Sequence, residues 1–467
     1  MYNYRVMKSV FVKRLIAVVS CAAVMAQPLM LTSCKGKNKG AEKPADYGSF
    51  GSDIAREISG KFPDRRAYSS GESRTGDYIE EKIKELGYQP EVQTFQGPGG
   101  SSKNYIVKIA GTGFYCARDD GSFELEHRVA VIGAHYDASL LPEFIDEDEY
   151  YDEDEEDDED YDDEDDEDED DEDDEDEDDD EDEDDDENEE TYDSRYVFDG
   201  ISDNASGTAC VLTALMAYKD YSNVSYDVWF VFFGAGTDDF RGAEAFCNSL
   251  SREELDSIDV MYDVDSLYAG DKIYASSGYK SIVPGKKYEL RRKLYQAYDV
   301  CFSNTLYTNY GFDLYYNESG IKTDLDEDGN SDIFKEMPKN SSDFRAFDDR
   351  MIPVVYFESY EYNFTSMNQM KETKNLSLQD FGGNVRGTPA DCTYFLDSVL
   401  LEEDYDRNGD GEVDCSGDRL QIRINCVAFI IVESLLKGSD KGMTPSEYEA
   451  YRIEQTRQTY ASESSPV

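Results

Sequence analysis

Residues 228–233 read Val-Trp-Phe-Val-Phe-Phe, an unbroken apolar run that ends at Gly234. A strand with one face in water alternates apolar and polar residues, so this run predicts a strand that is covered on both faces. Residues 131–134, Val-Ile-Gly-Ala, have the same character and lead into His135. Buried strands of this kind are typical of a mainly parallel sheet with helices packed on each side.

Strand and helix patterns alternate on both sides of this run. Strands are predicted at residues 91–95, 105–110, 128–134, 226–235, 260–267 and 353–358. Helices are predicted at residues 79–86, 205–221, 242–250, 287–300 and 420–436. This alternation predicts one α/β domain at residues 51–437, with a mixed, mainly parallel sheet sandwiched between helices and with insertions. Residues 438–467 are predicted to form a polar tail.

Polar residues follow the carboxyl ends of the predicted strands, where α/β proteins assemble their sites. His135 is one of only two histidines, and Asp137 is spaced to orient its ring. Taken alone, this His-x-Asp pair fits a structural histidine equally well. Asp203 precedes a predicted helix and Asp265 ends another strand. One histidine with two carboxylates is a reasonable site for a divalent ion, with zinc as the first choice.

Short motifs occur in a defined order along the chain. They are Phe62-Pro63-Asp64-Arg65, Glu85-Leu86-Gly87-Tyr88, Ala134-His135-Tyr136-Asp137, Asp203-Asn204-Ala205-Ser206-Gly207, Phe233-Gly234-Ala235, Asp265 and Ser342-Asp343. In this order they resemble the co-catalytic zinc aminopeptidases of metallopeptidase family 28, over about residues 50–437. The resemblance implies that His135 and Asp265 bind one zinc ion, with Asp203 bridging to a second.

The resemblance also implies groups that this chain lacks. A Glu-Glu pair is expected after Phe233-Gly234-Ala235, the first as the general base and the second as a ligand of the second zinc. Gly236 and Thr237 stand there instead. A histidine is expected after Ser342-Asp343, and Phe344 takes its place. We therefore predict one zinc ion rather than two.

Two neighbouring acids are candidate substitutes for the missing pair. Asp238 and Asp239 would enter the site if the loop slipped by two residues, although Asp is one methylene shorter than Glu. His127, before the His135 strand, is a poor substitute for the missing histidine. Loss of a general base alone lowers a hydrolytic rate roughly 10²–10⁴-fold. The sequence therefore favours weak or lost peptide hydrolysis, with an enzyme that uses Asp238 or Asp239 as the alternative.

The first 33 residues have the layout of a secretion signal. Basic residues precede an apolar run at 15–30, and Leu-Thr-Ser-Cys closes the segment at Cys34. This layout predicts a bacterial lipoprotein signal peptide, residues 1–33, cleaved before a lipid-carrying Cys34. A transmembrane anchor is disfavoured because a span needs roughly 20 apolar residues. We therefore expect an exported protein held by lipid in the cell envelope, on the periplasmic or the surface face, with a tether at residues 34–50.

Residues 146–190 contain 41 of the 106 acidic residues of the chain. Such a block repels itself and cannot bury a core, which predicts a disordered insertion. A solvated spacer and a low-affinity collector of divalent cations both fit this composition. Without this block, 65 acidic residues still face 45 basic ones, so nucleic acid is not an expected partner.

Two acidic insertions, residues 324–335 and 406–417, match the front of a calcium loop. Each places oxygen ligands at positions 1, 3, 5 and 9 and glycine at position 6, and lacks the usual Glu at position 12. The pattern resembles the shorter calcium loops of dockerins, and two acidic turns are the alternative. The predicted calcium ligands are Asp324, Asp326, Asp328, Asp332, Asp406, Asn408, Asp410 and Asp414.

Three functions remain open from the sequence. The first is an exported metallo-aminopeptidase with a modified active site, acting on peptides or protein N-termini. The second is a binding protein that keeps the cleft to hold peptides or termini. The third is a surface protein that collects divalent cations through its acidic block. Metal content separates them, because a zinc-free protein would exclude the metalloenzyme.

Overall fold

The computed structural model describes residues 43–145, 196–219, 221, 224–282, 287–323, 332–335, 340–364, 369–405 and 415–463. They lie in one compact unit, Lys43–Val467. The predicted signal peptide, Cys34, the acidic block and the predicted calcium ligands lie outside the described residues, except for Asp332, which begins a strand. Among the described residues, no helix has both the length and the apolar composition needed to cross a bilayer.

The strands of the described residues are β1 (Glu91–Gly97), β2 (Gly100–Ile109), β3 (Phe114–Ala117), β4 (Phe123–Glu126), β5 (Val129–His135), β6 (Asp227–Phe233), β7 (Ile258–Asp265), β8 (Lys272–Ser276), β9 (Leu314–Tyr316), β10 (Glu318–Thr323), β11 (Asp332–Lys335), β12 (Val354–Tyr360), β13 (Glu402–Tyr405) and β14 (Cys415–Asp418). One eight-stranded sheet has the order β1-β2-β6-β5-β7-β12-β8-β9. Its central strands β6, β5, β7 and β12 are parallel. The pairs β1–β2, β2–β6 and β12–β8 are antiparallel, which makes the sheet mixed.

The helices of the described residues are α1 (Phe50–Lys61), α2 (Ser70–Glu85), α3 (Ser206–Tyr218), α4 (Arg241–Ser249), α5 (Arg252–Ser257), α6 (Tyr288–Ser303), α7 (Leu306–Tyr310), α8 (Phe344–Asp348), α9 (Thr393–Leu400), α10 (Arg419–Leu436) and α11 (Pro445–Glu463). A π-helical turn, Ile201–Ala205, precedes α3. Helix α10 packs against α1, α3 and α6. It begins after Asp418, whose carboxylate accepts a hydrogen bond from Gln421 N at 2.9 Å.

Both faces of the sheet are covered, as the apolar run at 228–233 predicts. Phe230 and Phe232 belong to the core on the face of α3 and α10. Trp229, Val231 and Phe233 belong to a second core, which α4 and α8 cover. Side chains alternate between the faces of a strand, so a strand buried on both sides needs apolar residues throughout. The predicted fold class, a mixed and mainly parallel sheet between helices, is confirmed.

Several elements were not expected from the sequence. Strands β8 and β9 extend the sheet beyond β12, and helix α1 precedes the first predicted element. The hairpins β10–β11 and β13–β14 border the two calcium-like loops. Helix α11 lies within the predicted polar tail and stacks Tyr448 on Tyr115 at 4.0 Å between ring centroids. These elements are short or lie at the periphery, where apolar periodicity is weak.

A buried arginine fixes the chain on both sides of the acidic block. The Arg65 guanidinium donates to Tyr136 O at 3.0 Å, to Asp199 O at 2.6 Å and to Gly200 O at 2.6 Å. Its own carbonyl accepts from Ala138 N at 3.1 Å. Arg65 therefore holds the end of β5 beside the turn that begins at Ile201.

Candidate metal centre

Three side chains converge at the carboxyl edge of the central strands. His135 is the last residue of β5, Asp265 is the last residue of β7, and Asp203 lies in the π-helical turn. His135 Nε2 lies 3.3 Å from Asp203 Oδ1 and 3.8 Å from Asp265 Oδ1. One ligand atom from each residue lies within 4.8 Å of the other two. The structure therefore brings together the three residues that the sequence predicts as metal ligands.

The His135 ring is held from the side that faces away from these carboxylates. Its Nδ1 lies 3.1 Å from the carbonyl oxygen of Asp137 and 3.4 Å from the Asp137 carboxylate. A proton on Nδ1 that is donated to this carbonyl leaves the Nε2 lone pair toward the centre. Asp137 thus orients His135 through its main chain as well as its side chain.

Asp203 is placed by contacts with a distant acid. The Asp391 carboxylate accepts from Ser202 N at 2.8 Å and from Asp203 N at 2.9 Å. Asn204, which follows through a cis peptide bond, donates to Val264 O and accepts from Ser266 N, both at 3.0 Å. These bonds attach the turn to the end of β7. Asp203 Oδ1 itself is buried without a hydrogen-bond partner.

Asp265 is surrounded by donors. Its Oδ1 accepts from Ser266 Oγ at 3.0 Å, and its Oδ2 accepts from Tyr356 Oη at 3.1 Å and from Arg386 Nη1 at 2.8 Å. Arg386 Nε also lies 3.8 Å from Asp203 Oδ2. The Oδ1 atoms of both carboxylates therefore face His135, whereas their Oδ2 atoms face Arg386.

The electrostatic surroundings favour charged groups at this edge. Burial lowers the pKa of His135, but the neighbouring carboxylates of Asp137, Asp203 and Asp265 outweigh burial and raise this pKa well above its ordinary value. Burial raises the pKa of the Asp265 carboxyl, but Arg386 and then His135 outweigh burial and hold it below its usual range. A bound cation would compete with a proton for His135 Nε2, so its affinity would depend on pH.

The loop after β6 forms hydrogen bonds with the Asp137 carboxylate. Gly236 N and Thr237 N donate to the two Asp137 carboxylate oxygens at 2.7 and 2.8 Å, and Thr237 Oγ1 adds a third bond at 2.6 Å. A Cβ atom at Gly236 would lie 2.3 Å from His135 Cβ. Only glycine fits against the imidazole there, so a glutamate at 236 requires a different backbone path.

The segment at 342–344 contributes an apolar ring. Phe344 is fully buried and packs against Tyr356 with ring centroids 4.8 Å apart. Phe344 N donates to Asp263 Oδ2 at 2.8 Å. Asp343 is fully buried, and neither of its carboxylate oxygens has a hydrogen-bond partner. Burial and then repulsion from Asp263 raise the pKa of Asp343 well above its ordinary value.

The other predicted site residues have partners elsewhere. Asp238 accepts from Tyr68 Oη at 2.6 Å, and Asp239 accepts from Arg345 Nη2 at 2.6 Å. His127 is half-exposed and lies 3.0 Å from Asp227 Oδ1. The cluster of metal-ligating atoms found in the described part of the chain does not include them.

The donor set fits one zinc ion. Asp203 Oδ1 is an orphaned buried acceptor, and together with His135 Nε2 and Asp265 Oδ1 it makes an N/O set that zinc accepts in open sites. A second ion finds no comparable set among the described residues. Gly236 offers no side chain, Phe344 offers a hydrocarbon ring, and Arg386 covers Asp265 Oδ2.

Residues 192–387 match the model described as Peptidase family M28. This segment of the chain is therefore similar to peptidase family M28. The matched segment contains Asp203, Asp265 and Asp343 but not His135, so the place of His135 in the centre is given by the geometry. No curated protein matches the chain in sequence.

The chain is also similar to solved structures at low sequence identity. A glutaminyl cyclase from an Acidobacteriales bacterium is 15% identical, with 87% of this chain and 100% of that chain covered and a TM-score of 0.48. BSAP, a zinc aminopeptidase from Bacillus subtilis, is 11% identical, with 85% and 96% covered and a TM-score of 0.47. An aminopeptidase from Aneurinibacillus sp. strain AM-1 is 11% identical, with 86% and 97% covered and a TM-score of 0.47.

Sequence reasoning missed the groups that support the ligands. Arg386 lies in a loop with no motif, and Asp391 follows it without any local signal of its role. Tyr356 lies in an apolar strand, and only the pairing of β12 with β7 places it next to Asp265. Knowledge of the strand order was required to find them.

Proposed function

We propose that this chain is an exported, lipid-anchored protein whose M28 domain holds one zinc ion and binds peptides or protein N-termini, with peptide hydrolysis weak or lost. One observation carries the proposal. Ligand atoms of His135, Asp203 and Asp265 converge within 4.8 Å, while the loop at 236–237 contacts Asp137 instead of offering an acid. The centre has its ligands, but the described loop at 236–237 offers it no carboxylate where the family places its base.

The family supports zinc and peptide ligands for this centre. Zinc held by His135, Asp203 and Asp265 supplies Lewis-acid polarisation of a peptide carbonyl. Asp137 keeps the imidazole in the orientation that directs Nε2 inward. The same arrangement would also bind a peptide without hydrolysing it, because a carbonyl oxygen that contacts the ion fixes the peptide terminus in the site.

Weak hydrolysis follows from the missing general base. A positioned base contributes roughly 10²–10⁴-fold to such a rate. Gly236 and Thr237 supply none, and Asp238 and Asp239 are paired with Tyr68 and Arg345. An enzyme that uses Asp238 or Asp239 remains the alternative, and it requires these ion pairs and hydrogen bonds to break.

Zinc content and peptidase activity test the proposal together. The expected result is about one zinc per chain in the wild type, no zinc in His135→Ala, and turnover of amino-acid anilides at or near the background of His135→Ala. Asp343→Asn is the matched control, because Asp343 is a buried acid at the same edge that holds none of the proposed ligand atoms.

Two outcomes would contradict this function. Wild-type protein without zinc excludes the metal centre. Robust turnover that His135→Ala abolishes establishes an active peptidase, and loss of that turnover in Asp238→Asn or Asp239→Asn would assign the base to the alternative.

Export and anchoring are proposed from the sequence of residues 1–34. Labelled fatty acid should enter the wild-type protein and not Cys34→Ala, and the variant should leave the membrane fraction. Label in Cys34→Ala would contradict the anchor.

We also propose that the loops at 324–335 and 406–417 bind calcium, on the strength of their ligand spacing. Asp324→Ala combined with Asp406→Ala should lower calcium binding measured by calorimetry at millimolar calcium. Equal binding by the variant and the wild type would reduce both loops to acidic turns.

A further inference from the structure

Buried acids outnumber buried bases around the proposed centre. Asp203, Asp263, Asp265, Asp343 and Glu358 all approach it, and each is buried except Asp203, whose side chain is 13% exposed. The charge of the two proposed carboxylate ligands, Asp203 and Asp265, needs compensation, because an unpaired charge in a protein interior is costly. Among the described residues, the arginine in contact with the proposed ligands is Arg386.

Arg386 contacts both proposed carboxylate ligands on the side opposite to His135. Its Nη1 lies 2.8 Å from Asp265 Oδ2, and its Nε lies 3.8 Å from Asp203 Oδ2. The two carboxylates are therefore placed between the imidazole and the guanidinium. A zinc ion on the Oδ1 side and the guanidinium on the Oδ2 side would attract the same two groups.

The main chain at Arg386 is anchored independently of these contacts. The buried Glu372 carboxylate accepts from Val385 N at 3.0 Å and from Arg386 N at 3.0 and 3.1 Å. The main chain at Arg386 is thereby fixed to a buried acid that lies 14 residues earlier in the chain. The guanidinium therefore extends from a fixed main chain toward Asp265 and Asp203.

We propose that Arg386 is a built-in counter-cation of the metal centre, which stabilises the metal-free form and weakens zinc binding. This inference rests on the metal centre of the proposed function. Arg386 neutralises Asp265 and Asp203 when zinc is absent, and it repels zinc when zinc is present. It is a positioning residue that acts through these two carboxylates.

The sign of the effect distinguishes this role from simple support. A residue that only orients a ligand lowers metal affinity when it is removed, by roughly 10–100-fold. A fixed charge of the same sign as the ion raises affinity when it is removed, because Coulomb repulsion over several ångströms in a partly buried site is large. The two roles therefore predict opposite results from one substitution.

Zinc competition with a chelator tests the inference on Arg386→Met, starting from zinc-loaded protein so that the folded form is measured. We expect zinc affinity at least about tenfold above the wild type. Arg386→Lys, which keeps the charge, should stay close to the wild type. Arg345→Met, which removes an arginine from the exposed pair with Asp239, should not change affinity.

Thermal unfolding gives a second measurement. Metal-free Arg386→Met should unfold about 5–10 °C below metal-free wild type, because it leaves buried carboxylates uncompensated. Saturating zinc should raise the midpoint further in Arg386→Met than in the wild type.

Lower or unchanged zinc affinity in Arg386→Met would overturn the inference. An equal gain in Arg386→Lys would also overturn it, because the charge would then be irrelevant. Failure of the proposed function would give a different result. The wild-type protein would then bind no zinc, or its zinc content would be the same in His135→Ala.

Discussion

His135, Asp203 and Asp265 share one edge of the sheet with Asp263 and Asp343, yet the two groups of acids have opposite surroundings. Asp265 lies between Arg386 and His135, which hold its pKa below the usual range. Burial, followed by repulsion from Asp265, raises the pKa of Asp263 to about 7. The charged half of the edge, formed by His135, Asp203 and Asp265, is arranged for charged groups. The packed half, formed by Asp263, Asp343, Phe344 and the loop at 236–237, is arranged for neutral side chains.

The difference lies in what each half offers as a partner. The charged half presents ligand atoms that converge on a common point. In the other half, the loop at 236–237 bonds to Asp137 and the Phe344 ring fills the apolar core. A scaffold can therefore keep the precision of one ligand set while packing replaces a neighbouring set.

The largest expected effect is the loss of zinc affinity when a ligand of the charged half is replaced. Asp203→Asn removes a carboxylate from the three-residue set while keeping its shape, so zinc affinity should fall by more than the roughly 100-fold that outer groups cost. Asp343→Asn at the other half should change zinc affinity by less than about tenfold. Chelator competition measures both. Similar losses in the two variants would erase the distinction between the halves.

A histidine at 344 tests whether the packed half can be turned back into a ligand set. Phe344→His places a polar ring in an apolar core, so the free energy of unfolding should fall by about 3 kcal/mol. Zinc should remain at about one ion per chain, because Gly236 and Thr237 supply no further ligand. Denaturant unfolding and metal analysis check these outcomes. Two zinc ions per chain would show that the packed half can still supply the ligands of a second ion.

A side chain at 236 tests the contact between the two halves. Gly236→Ala places a Cβ atom 2.3 Å from His135 Cβ, so the imidazole or the loop must move. We expect zinc affinity to fall roughly 10–100-fold, as for other changes that misorient a ligand. Gly382→Ala is a control for glycine replacement in a loop, since no atom lies within 4 Å of a Cβ there, although its positive φ adds strain. Unchanged zinc affinity in Gly236→Ala would refute the contact.

The smallest expected effect is a pH dependence in the packed half. The folded-state pKa of Asp263 is about 7, above its ordinary value of 3.8. A carboxyl whose pKa is raised by folding binds more protons in the folded state, so stability falls as the pH rises from about 4 to 7. Asp343→Asn removes a coupled acid and should raise the free energy of unfolding by about 1–3 kcal/mol at pH 8.

The same substitution should have a much smaller effect at pH 4, which is close to the ordinary pKa of Asp, because the raised pKa values of these acids cost much less free energy there than at pH 8. Asp256→Asn, at a side chain that is 72% exposed, is the matched control. Urea unfolding at the two pH values measures the difference. Equal effects of Asp343→Asn at pH 4 and pH 8 would contradict the proton linkage.

The sequence predicted the central fold because buried parallel strands have a distinctive composition. The runs at 131–134 and 228–233 are apolar throughout, and their ends deliver His135 and Phe233 to one edge. The convergence of His135, Asp203 and Asp265 followed from the rule that sites form beyond such strand ends. The order of the motifs along the chain then added the resemblance to a zinc aminopeptidase family, which the spacing of these residues alone did not indicate.

The supporting groups were beyond sequence reasoning for a physical reason. Arg386 and Asp391 act across long chain separations, and nothing in their neighbours marks them as partners of Asp203. The role of Asp137 was predicted only in part, since its main-chain oxygen also contacts the His135 ring. Strands β8 and β9 were missed because strands of three to five residues carry little periodicity.

Arg65 has a consequence for how the proposed centre is assembled. Tyr136 O and Gly200 O accept hydrogen bonds from one guanidinium, so the chain just after His135 and the chain just before Asp203 are joined by a residue that precedes both of them. The relative position of two proposed ligands therefore depends on a side chain that lies far ahead of either one in the sequence.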